Sequence, residues 1–278
     1  MKLFGDLYNE NYVQAQLNKF HNRKLNHWAP RIAKVFDLVS QLDLRGSGEQ
    51  VLDLGTSIGT YAYEFAVRGY NVTGIDLDEK SISIARKIAE GDGKNINYIV
   101  GDVSDRSNFK DNEFDLIYAG DIIEHLENDL LLKTMSNCFS WLKPGGFFVF
   151  HTVPTKYDLI FHKSFLWICL VPFCLLPDRL FKKFTGILYR VLNLGLKIFT
   201  GKSWQDREKQ SVHCNLQTKE SLFDILIREG FKVKSIELAI IEERFRQEFK
   251  MFLFGRREYF QKDIFGVAVR EDEPEKCI

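Results

Sequence analysis

The apolar positions change period along this 278-residue chain, and the change divides it into regions. Residues 19–42, KFHNRKLNHWAPRIAKVFDLVSQL, set apolar side chains at helical spacing among polar ones, which predicts a helical opening segment over 1–47. Gly46, Ser47 and Gly48 punctuate the chain, and short apolar runs then alternate with longer helical patterns. EQVLDLG reads as a strand, TYAYEFAVRG as a helix closed by Gly69, and YNVTGIDLD as a second strand. EKSISIARKIAEG is a helix, and INYIVGDV and FDLIYAGDII are strands. LENDLLLKTMSNCFSWL is a helix, followed by the turn KPGG and the strand FFVFHTV. After Pro154 the alternation stops. It resumes with a helix and a strand in HCNLQTKESLFDILIREGFKVKSIELA, and DIFGVAVRE is the last strand.

Strands and helices alternating at this spacing predict an α/β fold of the doubly wound type: a mostly parallel sheet with helices on both faces. Residues 48–154 form its core and 205–278 complete it. The aromatic and aliphatic stretch 155–204, with prolines at 172 and 177, is an insertion or cap.

Composition narrows the class without naming a partner. Hydrophobic residues are 45% and charged residues 27%, enough apolar material for one sizeable core. Lys plus Arg equals Asp plus Glu at 38 each, so any electrostatic signal lies in how charge is distributed. The five cysteines form no C-x-x-C pair and are odd in number, which argues against a disulfide framework and for a reduced, cytoplasmic setting. The opening MKLFGDLYNENYVQ lacks the apolar core of a signal peptide.

The candidate chemistry sits at strand ends. The first strand ends in Asp53-Leu54-Gly55-Thr56-Ser57-Ile58-Gly59, a glycine-containing turn that brings backbone N–H groups close to a ligand. The second ends in Gly74-Ile75-Asp76-Leu77, with an acid about twenty residues beyond the first loop glycine, placed to accept a ribose diol. The third ends in Gly101-Asp102-Val103, where a carboxylate suits an adenine amino group. The fourth run ends in Ala119-Gly120-Asp121, small enough to let a ligand pass. Ligands of open α/β sheets bind outside the carboxyl ends of the strands, where all four lie.

Gly55-Thr56-Ser57-Ile58-Gly59 also matches the G-x-S-x-G elbow of α/β-hydrolases. That reading fails on three counts. The elbow falls on the first strand of the series, no HGGG-type segment precedes it, and a hydrolase has no use for Asp76. A dehydrogenase is disfavoured because the loop lacks G-x-G-x-x-G.

With these motifs in order, the chain resembles the class I S-adenosylmethionine-dependent methyltransferases, well over 48–153 and more loosely over 213–270. VLDLGTSIGTYAYEFAVRGYNVTGIDLDEKSISIAR is similar to the family's first two motifs, and GDV, FDLIYAGDIIEHL and LKPGGFFVF to the next three. The tail resembles the subgroup of ubiquinone-pathway and small-molecule enzymes. The resemblance implies a seven-stranded Rossmann-like sheet whose last strand, around Ile264–Val269, runs antiparallel. It implies S-adenosylmethionine as cofactor, with Gly55, Thr56, Ser57 and Gly59 along its methionine portion and Asp53 at the amino group. Asp76 and Leu77 would meet the ribose, Asp102 and Val103 the adenine, and Ala119 the methionine end. Ser57 departs from the family, which has glycine there.

Methyl transfer from a sulfonium needs an aligned nucleophile and, for some acceptors, a base. Asp121, Glu124, His125, His151 and His213 are candidates. His125 leads because imidazole titrates near neutrality, with Glu124 and His213 beside it as catalytic expectations. The competing reading makes Glu124-His125 a helix start that only orients neighbours. A metal held by Glu124, His125 and His151 has unspecific spacing, and no metal is expected.

The insertion speaks to the acceptor. Residues 155–204 hold eight basic and two acidic side chains, a net +6 in a neutral chain. Their longest uncharged run, Ser164–Pro177, is 14 residues, short of the about 20 needed to span a bilayer. Apolar residues flanked by Lys and Arg suit an interfacial helix, hence a peripheral membrane contact and a lipid-like acceptor such as a quinone precursor or lipid-linked glycan. A plain cap over the site and a dimer surface are the competing readings. Nucleic acid is disfavoured because the basic segment is too apolar for a phosphate track. An RNA methyltransferase and a non-catalytic S-adenosylmethionine-binding module are the alternatives to a small-molecule enzyme. The first helical segment, with Tyr8, Tyr12 and Trp28, is expected to fold over the cofactor.

Overall fold

In a computed structural model, residues 10–25, 28–44, 48–153, 166–202, 214–239, 253–254 and 262–271 are described. Two helices open the chain, α1 (Glu10–His21) and α2 (Trp28–Ser40). There follow β1 (Gln50–Leu54), α3 (Thr60–Val67), β2 (Asn71–Asp76), α4 (Glu79–Gly91), β3 (Ile96–Val100), β4 (Phe114–Gly120), α5 (Asn128–Trp141) and β5 (Leu142–Thr152). The insertion contributes a 3-10 segment at Leu166–Phe173 and the long helix α6 (Asp178–Thr200). The domain closes with α7 (Lys219–Arg228), β6 (Lys232–Ala239) and β7 (Asp263–Val269).

The seven strands form one sheet in the order β3-β2-β1-β4-β5-β7-β6. All pairs among β1–β5 are parallel, and β7 runs antiparallel to both β5 and β6, as the resemblance implies. Strand alternation supplies two cores. Leu52, Ile117 and Phe148 face α5 and α7, where Trp141, Leu222 and Leu226 meet them. Val51, Leu116 and Phe147 face the other way, onto Val35, Phe65 and Ile82 of α2, α3 and α4. Burial on both faces is why these strands read as continuous apolar runs.

Three boundaries differ from the sequence reading. The opening segment is two helices, broken around residues 22–25. KPGG belongs to β5 instead of preceding it, with Gly145 at φ +78° and its N–H donating to the carbonyl of Arg270. The fourth strand stops at Gly120, because Asp121 takes φ +55° and turns the chain out of the sheet. Ile123–His125 then form a single 3-10 turn.

Candidate active site

The strand order reverses between β1 and β4, which opens a crevice at their carboxyl ends. The loop Gly55–Gly59 lies there, with Gly55 at φ +71°, Ser57 at +50° and Gly59 at +82°. The two glycines answer to packing as well as to conformation. A Cβ on Gly55 would meet Ile122 Cδ1 at 2.5 Å, and one on Gly59 would collide with the hydroxyl of Tyr98. Ser57 accepts a left-handed conformation without being glycine, and its N–H donates to Asp76 Oδ2 at 2.8 Å.

Asp76 is the best-held acid of the group. Its Oδ1 accepts from the Asp78 N–H at 2.9 Å while Oδ2 takes the Ser57 N–H. Burial pushes its pKa up, and the backbone donors pull against that shift. A carboxylate has about four lone-pair sites, so acceptor capacity remains beyond these bonds. Beside it Leu77 is 52% exposed, an apolar surface next to a fixed carboxylate.

Asp53 has different work. Its Oδ2 accepts from the Thr56 hydroxyl at 2.6 Å and from the Ala62 N–H at 2.9 Å. Ala62 is in the first turn of α3, whose own N-cap Gly59 offers no side chain, so Asp53 supplies the missing cap from β1. Burial raises its pKa to about 6 against those two donors. Asp102 is exposed, its Oδ1 accepting from the N–H and hydroxyl of Ser104. Val103 and Ala119 are buried in the core on the α5 side, so what Ala119 offers at the crevice is backbone.

Past β4, Asp121 Oδ1 lies 2.8 Å from His151 Nδ1 and Oδ2 lies 3.2 Å from Lys19 Nζ. His151 Nε2 lies 3.1 Å from Asp263 Oδ1, which also accepts from Arg31 Nε at 3.0 Å. The result is a chain of alternating charge running Lys19, Asp121, His151, Asp263, Arg31. Burial alone would lower the imidazole's pKa. The Asp121 carboxylate outweighs it with help from Asp263, and His151 is raised to about 9. Asp121 is held well below the usual carboxylate range, since His151 and Lys19 overcome its own burial.

Glu124 is 1% exposed and accepts from the Thr152 hydroxyl at 2.7 Å, so it does not cap α5, whose N-cap is Glu127. Burial raises its pKa, with His125 pulling the other way. His125, with 29% of its side chain exposed, stands 3.9 Å from Glu124 Oε1. Cys214 Sγ donates to the His125 carbonyl at 3.2 Å, and the Asn215 N–H to the Glu124 carbonyl at 3.0 Å. The segment preceding α7 is thereby fastened to this turn. His213 itself lies outside the described residues.

From the N-terminal side, α1 covers the loop. The hydroxyls of Tyr12 and Ser57 are 3.2 Å apart, and Phe20 packs with Ile58 and Tyr63. Tyr8 lies outside the described residues. The sequence reading missed Lys19, Arg31, Thr152 and Asp263, since pairings across up to 232 residues leave no local pattern.

Residues 51–146 match the family model described as a methyltransferase domain. A ubiquinone biosynthesis O-methyltransferase of Dechloromonas aromatica is 31% identical over 144 residues, 49% of this chain and 61% of that protein. The match thus spans about three-fifths of the length of that curated relative. Among solved structures, magnesium protoporphyrin IX methyltransferase of Synechocystis aligns with a TM-score of 0.60 at 16% identity, covering 96% of this chain and 97% of that one. Phosphoethanolamine N-methyltransferase 2 of Haemonchus contortus, in complex with S-adenosyl-L-methionine, also gives 0.60, at 18% identity over 96% of this chain and 60% of that one. At such identities the structural likeness is one of fold. The domain match covers β1 to the start of β5, and over these residues the chain is similar to a methyltransferase domain, on a sheet ordered and closed as the class I S-adenosylmethionine-dependent methyltransferase resemblance implies.

Proposed function

We propose that this protein binds S-adenosylmethionine in the crevice between β1 and β4 and transfers its methyl group to a small-molecule acceptor. The observation that carries the reading is Asp76. It is a buried carboxylate at the end of β2, oriented by the Ser57 and Asp78 N–H groups and bordered by the exposed apolar Leu77. That combination fits a ribose diol and the face of a base. Asp102 extends the same edge toward the adenine, and the Gly55–Gly59 loop passes beneath the methionine portion. Asp53 acts indirectly, by fixing the loop to α3. When bound, the cofactor supplies an activated methyl on sulfur.

The chain's own residues then have three tasks: to align the acceptor, to exclude water, and to take a proton if the acceptor carries one. His125 takes the last task in this reading, which its partial exposure supports, with 29% of its side chain open to solvent. Glu124, fixed by Thr152, positions that turn, and Cys214 and Asn215 fasten to it. The apolar insertion entering after β5 supports a lipid-like acceptor, such as a quinone precursor or lipid-linked glycan, met at a peripheral membrane position.

Calorimetric titration with S-adenosylmethionine tests the cofactor site. Micromolar binding is expected, weakened tenfold or more in Asp76→Ala, since hydrogen bonds to a charged group contribute about 1.5–3 kcal/mol. Absence of binding to folded wild-type protein would overturn the proposal. His125→Ala should keep that affinity while turnover on an ionisable acceptor falls by about 10²–10⁴. Unchanged turnover would remove His125 as base.

A further inference from the structure

Helix α6 has two unlike faces. Phe181, Thr185 and Tyr189 are buried against the body, and Lys182 Nζ pairs with Glu220 at 2.7 Å. The other face carries Leu180, Phe184, Ile187, Val191, Leu194 and Ile198, all exposed. Their spacing of four and three residues sets them in one straight line over the helix length, about 30 Å at 1.5 Å per residue. Beyond the line Phe199 is 88% exposed. A monomeric soluble surface rarely carries a contiguous apolar stripe of this length without a partner.

Charge selects the partner. At 3.6 residues per turn, Arg179, Lys183, Arg190 and Lys197 all fall along one edge of the stripe, and all four are exposed. From Arg179 to Thr200 the helix has no acidic residue. Two copies joined stripe to stripe and antiparallel would set these cationic edges side by side, with Asp178, at the helix's first position, the one acid on each helix. An anionic lipid surface satisfies both features at once, taking the apolar line into its acyl boundary and the cations at its headgroups. Among the described residues no helix is long and apolar enough to cross a membrane, so α6 would lie along the surface.

We propose that the Leu180–Ile198 stripe of α6, edged by Arg179, Lys183, Arg190 and Lys197, docks the protein on an anionic lipid surface. The proposal deepens the lipid-like acceptor reading, and its test is read without turnover. The full chain is floated with vesicles of phosphatidylcholine alone and of phosphatidylcholine mixed with phosphatidylglycerol, at low and high salt. Val191→Glu/Leu194→Glu reverses the stripe's character, and Arg190→Glu/Lys197→Glu reverses its edge. All four positions are exposed, and circular dichroism checks the fold of each variant.

Wild-type protein is expected on the phosphatidylglycerol vesicles alone. Binding should fall tenfold or more in either double variant, and also at about 1 M salt, where the screening length shrinks to about 3 Å. Equal flotation of wild type and variants, or no flotation at all, would overturn the proposal. So would a dimer in light scattering that Val191→Glu/Leu194→Glu dissociates, which would assign the stripe to a second copy. Calorimetry with S-adenosylmethionine on the same samples reads the cofactor site separately, so the two readings can fail independently.

Discussion

His151 shows how far a side chain's chemistry departs from its type once it is enclosed. A buried imidazole is ordinarily neutral, yet here carboxylates lie 2.8 Å and 3.1 Å from its two nitrogens and hold the proton. Its pKa is raised from 6.5 to about 9, so the sign of the linkage follows. The stabilisation is fully present below pH 6.5 and is lost as pH rises through about 9. Nuclear magnetic resonance titration of the ring should find it still protonated at pH 7.5, and Asp121→Asn should shift its midpoint down toward the unperturbed value. A wild-type ring that deprotonates below pH 7 would dismiss this account. The same enclosure makes His151 a poor general base at neutral pH. Asp53 carries a parallel lesson. Its place in the motif suggested contact with a cofactor's amino group, and in the structure its Oδ2 also caps α3 and ties down Thr56.

At the scale of elements, α1 is the part whose role depends most on its neighbours. Its sequence is a weakly amphipathic helix, but Tyr12 reaches Ser57, Lys19 reaches Asp121 and Arg23 reaches Glu64 at 2.9 Å. A ligand on the Gly55–Gly59 loop would therefore lie under α1, and leaving would require that helix to lift. Loss of one such contact, worth about 1 kcal/mol, should speed departure about fivefold. Stopped-flow dissociation of S-adenosylmethionine from Tyr12→Phe and Lys19→Met measures this. A rate equal to wild type in both would remove α1 as a cover. Other elements are set locally: Asp78 caps α4 by accepting from the Ser81 N–H, and Thr218 with Ser221 forms a capping box on α7.

Across the whole molecule, the charge chain fastens the opening helices to the far side of the sheet. Arg31 of α2 meets Asp263 at the start of β7, and Lys19 of α1 meets Asp121 beyond β4. Asp263 is buried between two cations, so Asp263→Ala would leave Arg31 and His151 facing each other without it. Truncating one partner of a buried ion network costs about 3–5 kcal/mol, and urea unfolding should show a loss of that size. A loss under about 1 kcal/mol would mean that solvent screens the network as it does an exposed pair.

The sequence by itself determined the alternation of strands and helices, the strand-end motifs and the apolar insertion. Each of these is local: side-chain period, turn residues and caps act over a few positions, and buried parallel strands announce themselves as apolar runs. Even the antiparallel last strand was legible, though only through family resemblance. The tertiary structure decided the rest. It split the opening segment into two helices, carried KPGG into β5 and buried Glu124 against Thr152. It also joined Lys19, Asp121, His151, Asp263 and Arg31 into one network and turned one line of α6 outward while burying Phe181, Thr185 and Tyr189. Those outcomes depend on which distant surfaces meet. A carboxylate's partner, and so its charge and its task, is fixed only when the sheet brings residues hundreds of positions apart within hydrogen-bonding reach.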